Sequence, residues 1–201
     1  MAIRERFMTT ADPPPQRRMR ADARRNYERL LAEAATIFAE QGVEASLEEI
    51  ARRAGVANGT LYSHFPTRQA LLEALLRDRM RTLSDTARDL LDHPSADEAL
   101  TIWARAAMAH TTVYRGLATS LMRSIEDETS QLHAACQAVL TAGEQLLDRA
   151  QAAGTLCADV TASDLYALIN AAAWAGEQTS PAQGERLLSF GIDGMRPATD
   201  A

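Results

Sequence analysis

The chain has 201 residues, of which 46% are hydrophobic and only 5% aromatic, with 10 Gly and 7 Pro. This is the composition of a helical protein and not of a β-sandwich or barrel. The net charge of −6 speaks against a surface that is basic throughout. The average conceals an asymmetry: residues 1–80 hold 13 Arg against 11 Asp plus Glu (net +2), and residues 81–201 hold 8 against 16 (net −8).

All 21 basic residues are arginine, and six of them crowd into residues 17–29. Residues 1–21, with "ADPPPQRR", offer prolines and charge and nothing to bury, so a disordered basic arm is expected there. No run of about eighteen apolar residues occurs, and the N-terminus lacks the apolar core of a signal peptide. The expectation is a cytoplasmic protein without a membrane segment. Cys136 and Cys157 lack the number and spacing of a disulfide framework or a zinc site, so both read as reduced, structural thiols.

A first helix is predicted over about 22–41, where Tyr27, Leu30, Leu31, Ala34, Ala35 and Phe38 form one stripe at i, i+3, i+4 spacing and Gly42 ends it. In "SLEEIARRAG", Ser46 and Glu49 have capping-box spacing, and Leu47, Ile50, Ala51 and Ala54 line a short helix up to Gly55. "GVANGTLYSHF" follows, a third helix of about two turns. Thr67 then caps a long helix to about residue 92, carrying Leu71, Leu72, Leu75, Leu76, Met80, Leu83, Ala87, Leu90 and Leu91 on its apolar side. Ser95 and Glu98 open another helix to about residue 114, Gly116 interrupts, and further helices are expected over about 117–125 and 131–153. Thr161 with Asp164, and Ser180 with Pro181 and Gln183, start the last two. The sum is an all-α fold of about nine helices.

A long helix and two short ones, the latter joined by a tight glycine turn, describe a three-helix head with a helix-turn-helix over 46–65. If Leu61 and Phe65, spaced i, i+4, pack inward, then Asn58, Gly59, Thr60, Tyr62, Ser63 and His64 lie on the outer arc of the third helix. Those side chains offer hydroxyls, an amide and an imidazole to phosphates and base edges, and a major groove admits one helix. Taken singly, Tyr62 and His64 read equally as half-buried surface residues. Asn58 can bond adenine bidentately; alternatively it caps the helix, since Ala57 has no capping side chain. Glu48 places an acid near this face, either pointing away or accepting from a cytosine amino group.

Through "AATIFAEQGVEASLEEIARRAGVANGTLYSHFPTRQALLEALL", about residues 24–83, the sequence resembles the TetR family of bacterial transcriptional repressors. The resemblance implies a DNA-binding domain over 22–83 and a helical effector-binding and dimerisation domain over 84–201. It implies a homodimeric repressor on a palindromic double-stranded operator, released by a small-molecule effector of unknown identity. Position by position, Ser46 would bind phosphate, Thr60 and Tyr62 the backbone or thymine methyls, and His64 and Arg68 further phosphates. Asn58 and Ser63 fall at variable positions that often read bases.

In the second half, Trp103, Met108, His110, Tyr114, Met122, His133 and Cys136 are candidate pocket residues, being large or polar groups at apolar helical positions. Taken one at a time, each is more often ordinary core packing, since buried aromatics and methionines are usually core. The resemblance places the dimer interface on the last two helices, with Leu165, Leu168, Ile169, Ala172, Leu187, Leu188, Phe190 and Met195. The tail from "AAAWAGEQ" to "DGMRP" is also similar to the SbtR-like branch. No nucleophile with an ordered base, phosphate loop or ligand cluster supports catalysis, a metal or a cofactor. Two alternatives stand beside a released repressor: a ligand-independent regulator or activator, and a helical small-molecule-binding protein without DNA function.

Overall fold

The computed structural model describes residues 15–120 and 126–197, with side chains undescribed at 15–20 and 112–120. Among the described residues there are eight helices and no strand: α1 (Pro15–Gln41), α2 (Leu47–Ala54), α3 (Asn58–His64), α4 (Arg68–Leu90), α5 (Ala96–Ser120), α6 (Gln131–Ala152), α7 (Ala162–Gln178) and α8 (Pro181–Gly194). The all-α expectation holds, with eight described helices against about nine.

Two boundaries differ from the sequence expectation. The first helix starts at Pro15 and not near residue 22; proline suits a first helical position, and side-chain pairs such as Arg24 with Glu28 at 2.8 Å support the exposed turns. Residues 1–14 of the expected arm lie outside the described residues. The break at Gly116 is absent, because α5 continues through it to Ser120. One helical glycine costs only about 1 kcal/mol against alanine. Residues 121–125, the rest of the helix expected there, lie outside the described residues.

The chain divides into two compact units, one up to Pro66 and one from Thr67. In the first, α1 packs on α2 and α3. Leu30, Ile37, Ile50 and Ala51 are completely buried, and Leu61 and Phe65 nearly so. Arg53 reaches from α2 to Glu33 and Glu40 on α1, at 3.2 and 3.1 Å. Gly55 closes α2 at φ +65°, a left-handed conformation that favours glycine, and a Cβ there would sit 2.5 Å from Arg29 Nη2.

The second unit holds α4 to α8. α4 lies against α5 and α6, α5 against α7 and α8, and α7 pairs with α8 as a helical hairpin. Its centre is Trp103 on α5, fully buried, whose indole N–H donates to Leu83 O at 3.2 Å and whose ring meets Tyr166 edge-on at 6.0 Å. Gly143 on α6 leaves the space for both rings. A Cβ there would lie 2.8 Å from Trp103 Cζ3 and closer still to Cη2 and the Tyr166 oxygen.

The Tyr166 hydroxyl donates into α6, toward the Val139 and Leu140 carbonyls at 3.2 and 3.0 Å. At the far end of α4, Arg149 of α6 donates to the carbonyls of Leu90 and His93, holding the last turn and the loop that follows. Thr161 and Asp164 form the complete capping box expected of them, and Ser180 caps α8 with Pro181 at its first position. At Ser95 the box is half formed. The Glu98 amide donates to the Ser95 hydroxyl, but the Ser95 amide donates to His93 Nδ1 at 3.2 Å.

Candidate nucleic-acid interface

Two anchors decide which way α3 faces. Leu61 and Phe65 are 1% and 2% exposed, and Phe65 stacks on Tyr27 of α1 with ring centroids 5.1 Å apart. The helix thereby turns Asn58, Gly59, Tyr62 and Ser63 outward, all exposed, with Thr60 and His64 half-buried at the margins. Tyr62 keeps 43% of its surface open, a large value for an aromatic in a domain with so few.

The question at the front of α3 resolves in favour of an uncapped helix. Ala57 is the cap residue and no side chain bonds there, while Asn58 is the first helical residue and exposed. Its amide is therefore not the cap. Gly59 has open space where a Cβ would stand, so glycine is not forced there by protein contacts.

Several polar groups of the arc already have protein partners. The Ser63 hydroxyl donates to Thr60 O at 3.0 Å. The His64 ring sits edge-on to Tyr27, 6.0 Å between centroids, so α1 orients it. Ser46 caps α2, its oxygen accepting from the Glu49 amide at 3.3 Å and its O–H donating to Glu48 at 2.8 Å. Tyr62 donates to the other oxygen of Glu48 at 3.2 Å. Neither expectation for Glu48 describes this arrangement, in which the acid joins α2 to α3.

The capping box expected from Glu49 is half formed as well. Its carboxylate turns along α2 to Arg52, at 2.7 and 2.5 Å, and that guanidinium holds it below the usual carboxylate range. With Arg53 paired to α1, both arginines of α2 face protein carboxylates. Arg68 opens α4 in the other compact unit, half-buried, with Thr67 capping beside it by accepting from the Ala70 amide at 3.1 Å.

The candidate pocket residues separate by environment. Trp103 is core, its one polar atom bonded, and Met108 is buried. His110, His133 and Cys136 are half-buried, and burial pushes the Cys136 thiol up. The side chains of Tyr114 and Met122 lie outside the described residues. Among the described residues no three His, Cys, Asp or Glu side chains are grouped so as to hold a metal ion.

Burial, and after it the charge of Arg79, holds the His110 imidazole down at about 4, against 6.5 for a free histidine. The unfolded chain takes up this proton as pH falls through 6.5 and the folded one only near 4. Stability from this group is therefore complete above about pH 6.5 and is lost as pH drops toward 4, by up to roughly 3 kcal/mol. His110→Gln should remove that part of the slope. Urea unfolding of both proteins between pH 7 and 4 checks it, since the carboxylates common to both cancel in the difference.

On α7 and α8, Leu165, Ile169, Ala172 and Leu188 of the expected interface set are buried within the chain's own bundle. Covered by the chain's own helices, these four offer no surface to a second copy. Leu168 and Met195 are half-buried. What stands outside on these two helices is Phe190 at 63% exposed, Trp174 at 56% and Leu187 at 37%.

Residues 30–75 match the family described as bacterial regulatory proteins, tetR family, and residues 95–197 match the family described as transcriptional regulator SbtR-like, C-terminal domain. A TetR transcriptional regulator of Streptomyces coelicolor is 36% identical in its solved structure, with 86% of this chain and 99% of that one covered at a TM-score of 0.73. For a TetR transcription regulatory protein of Mycobacterium vanbaalenii the values are 37%, 89%, 99% and 0.69. The HTH-type transcriptional repressor KstR2 of Mycolicibacterium smegmatis is 37% identical over 82 residues, which span 40% of this chain and 37% of that relative.

Proposed function

This chain belongs to the TetR family of transcriptional regulators, and on that premise we propose that it is a cytoplasmic repressor that binds a palindromic operator as a homodimer and is released by a small molecule. The observation that carries the reading is the exposed polar arc of α3 between its buried anchors Leu61 and Phe65. A two-turn helix needs a reason to display Asn58, Tyr62 and Ser63 to solvent, and a major groove supplies one.

In this reading α3 enters the groove while the start of α2 meets the sugar-phosphate backbone. Ser46, Thr60, Tyr62, His64 and Arg68 fix the register on phosphates, with Gly59 letting the backbone approach closely. Asn58 and Ser63 face base edges, and Asn58, not engaged as the cap, is the first choice for reading adenine. The exposed Trp174, Leu187 and Phe190 supply the surface through which two copies pair, since that much aromatic area in water is otherwise unfavourable. The effector enters the helical body, where Met108, His110, His133 and Cys136 are the described candidates. No described helix is long and apolar enough to cross a membrane.

The test is a gel shift of the full chain on the DNA upstream of its own gene, over a salt series. A shift whose log affinity falls linearly with log salt is expected; no shift at low salt, for a folded protein, overturns the reading. Tyr62→Ala and Arg68→Ala should weaken every operator variant alike, whereas Asn58→Ala should relax preference at one base pair, worth about 1–3 kcal/mol. Equal losses from all three on every variant would reject these roles.

A further inference from the structure

The carboxylate that joins α2 to α3 occupies the two hydroxyls that the proposed function assigns to phosphate. Glu48 Oε2 accepts from the Ser46 hydroxyl at 2.8 Å and Glu48 Oε1 from the Tyr62 hydroxyl at 3.2 Å. We propose that Glu48 is a specificity-determining residue that acts as an internal stand-in for a DNA phosphate, holding Ser46 and Tyr62 in their binding geometry while opposing non-specific duplex.

The argument is one of proton count. A serine or tyrosine hydroxyl has a single O–H to donate, and both protons are directed at Glu48. The Ser46 oxygen already accepts from the Glu49 amide at 3.3 Å. A phosphate, which only accepts, can take either hydroxyl only by displacing Glu48, so the two anions exclude one another. The neighbouring acid cannot play this part, because Glu49 is turned to Arg52 at 2.7 and 2.5 Å.

Two consequences separate this role from a plain structural bond. The free protein keeps Tyr62 and Ser46 pointed at one acceptor, so less side-chain freedom is lost when DNA arrives. Against that gain, any duplex must displace a like charge from the contact. A duplex that offers α3 its base contacts compensates for the displacement, and a random one does not. Glu48 thus lowers affinity for the bulk of DNA more than for the operator, and the quantity it sets is the specificity ratio.

This inference rests on the reading that Ser46 and Tyr62 meet phosphate, and the experiment keeps the two apart. Binding of the full chain to a random-sequence 20-base-pair duplex, and to the shifted upstream fragment, is measured by fluorescence anisotropy at low salt for wild type, Glu48→Gln and Glu48→Ala. Both variants should tighten the random duplex, Glu48→Gln by up to about fivefold, the upper end of one exposed charge interaction, and Glu48→Ala by more, because it also releases both hydroxyls. They should tighten the operator less, so that the ratio falls.

In a Ser46→Ala, Tyr62→Phe background the gain from Glu48→Ala should shrink to what charge alone gives. A gain that stays whole there, unchanged random binding, or an operator loss confined to one base pair would each overturn the stand-in role. Wild-type protein that binds neither duplex overturns the functional reading, and the role of Glu48 with it. Wild-type binding with no response to Glu48 overturns this inference alone.

Discussion

Gly143→Val should cost the helical body about 3 kcal/mol or more of stability. The added Cβ would fall 2.8 Å from Trp103 Cζ3 and closer to Cη2 and the Tyr166 oxygen. These atoms have little room to yield. Trp103 is completely buried and tied by its indole N–H to Leu83, and the Tyr166 hydroxyl is held by two carbonyls of α6.

Overpacking of a filled core costs about 1–3 kcal/mol and occasionally more, and here two rings must move and the half-buried Tyr166 hydroxyl must change partners. Alanine makes a sharper comparison, because its helix propensity gains about 1 kcal/mol over glycine. Gly143→Ala should nevertheless destabilise, and Trp103→Phe should recover part of the loss in the double variant. Urea unfolding followed by tryptophan fluorescence measures both; a stability change within about 0.5 kcal/mol for Gly143→Val would show that this packing is not as tight as the distances require.

Phe190→Asp combined with Trp174→Asp should lower operator affinity by about a hundredfold or more without touching any residue of the polar arc of α3. Both side chains are more than half exposed, so the fold should survive, with an unchanged circular dichroism spectrum. If these aromatics pair two copies, each acid places charge in a desolvated contact. Sedimentation should then fall from twice the chain mass to the chain mass of 21.9 kDa.

On the palindromic operator proposed above, a single copy would engage one half-site and forfeit the high effective concentration that tethering gives the second, a factor on the order of 10²–10⁴. Random-duplex binding should fall much less. A double variant that still sediments at twice the chain mass would remove this surface as the interface.

Local signals made much of this architecture legible before any coordinates. Ser46, Thr67, Thr161 and Ser180 cap the helices expected of them, and Gly42 and Gly55 end the first two with positive φ. The anchors Leu61 and Phe65 follow from i, i+4 spacing alone. The misses share a cause, which is competition that a short window does not contain. Glu49 has the spacing to reach back to Ser46, yet Arg52 three residues on offers it a charged partner.

Glu48 and Tyr62 meet across 14 residues of chain, and nothing local announces the pair. The contact of Gly143 with Trp103 and Tyr166 joins three helices, so a lone glycine inside an apolar helix gave no sign of its neighbours. On α7, apolar nearly all round, periodicity could not say that Leu165 and Ile169 serve the chain's own core while Trp174 is left outside.

Arg149 is not alone in tying α4 to α6. It holds the carbonyls of Leu90 and His93 at the end of α4, and Arg77, in the first half of the same helix, donates to Gln131 at the start of α6. With 23 residues at about 1.5 Å each, α4 is roughly 34 Å long, and it lies against α6 between these ties. The two helices therefore behave as one braced strut, in which repacking beside Arg149 is shared by the pair instead of turning α4 alone about one end.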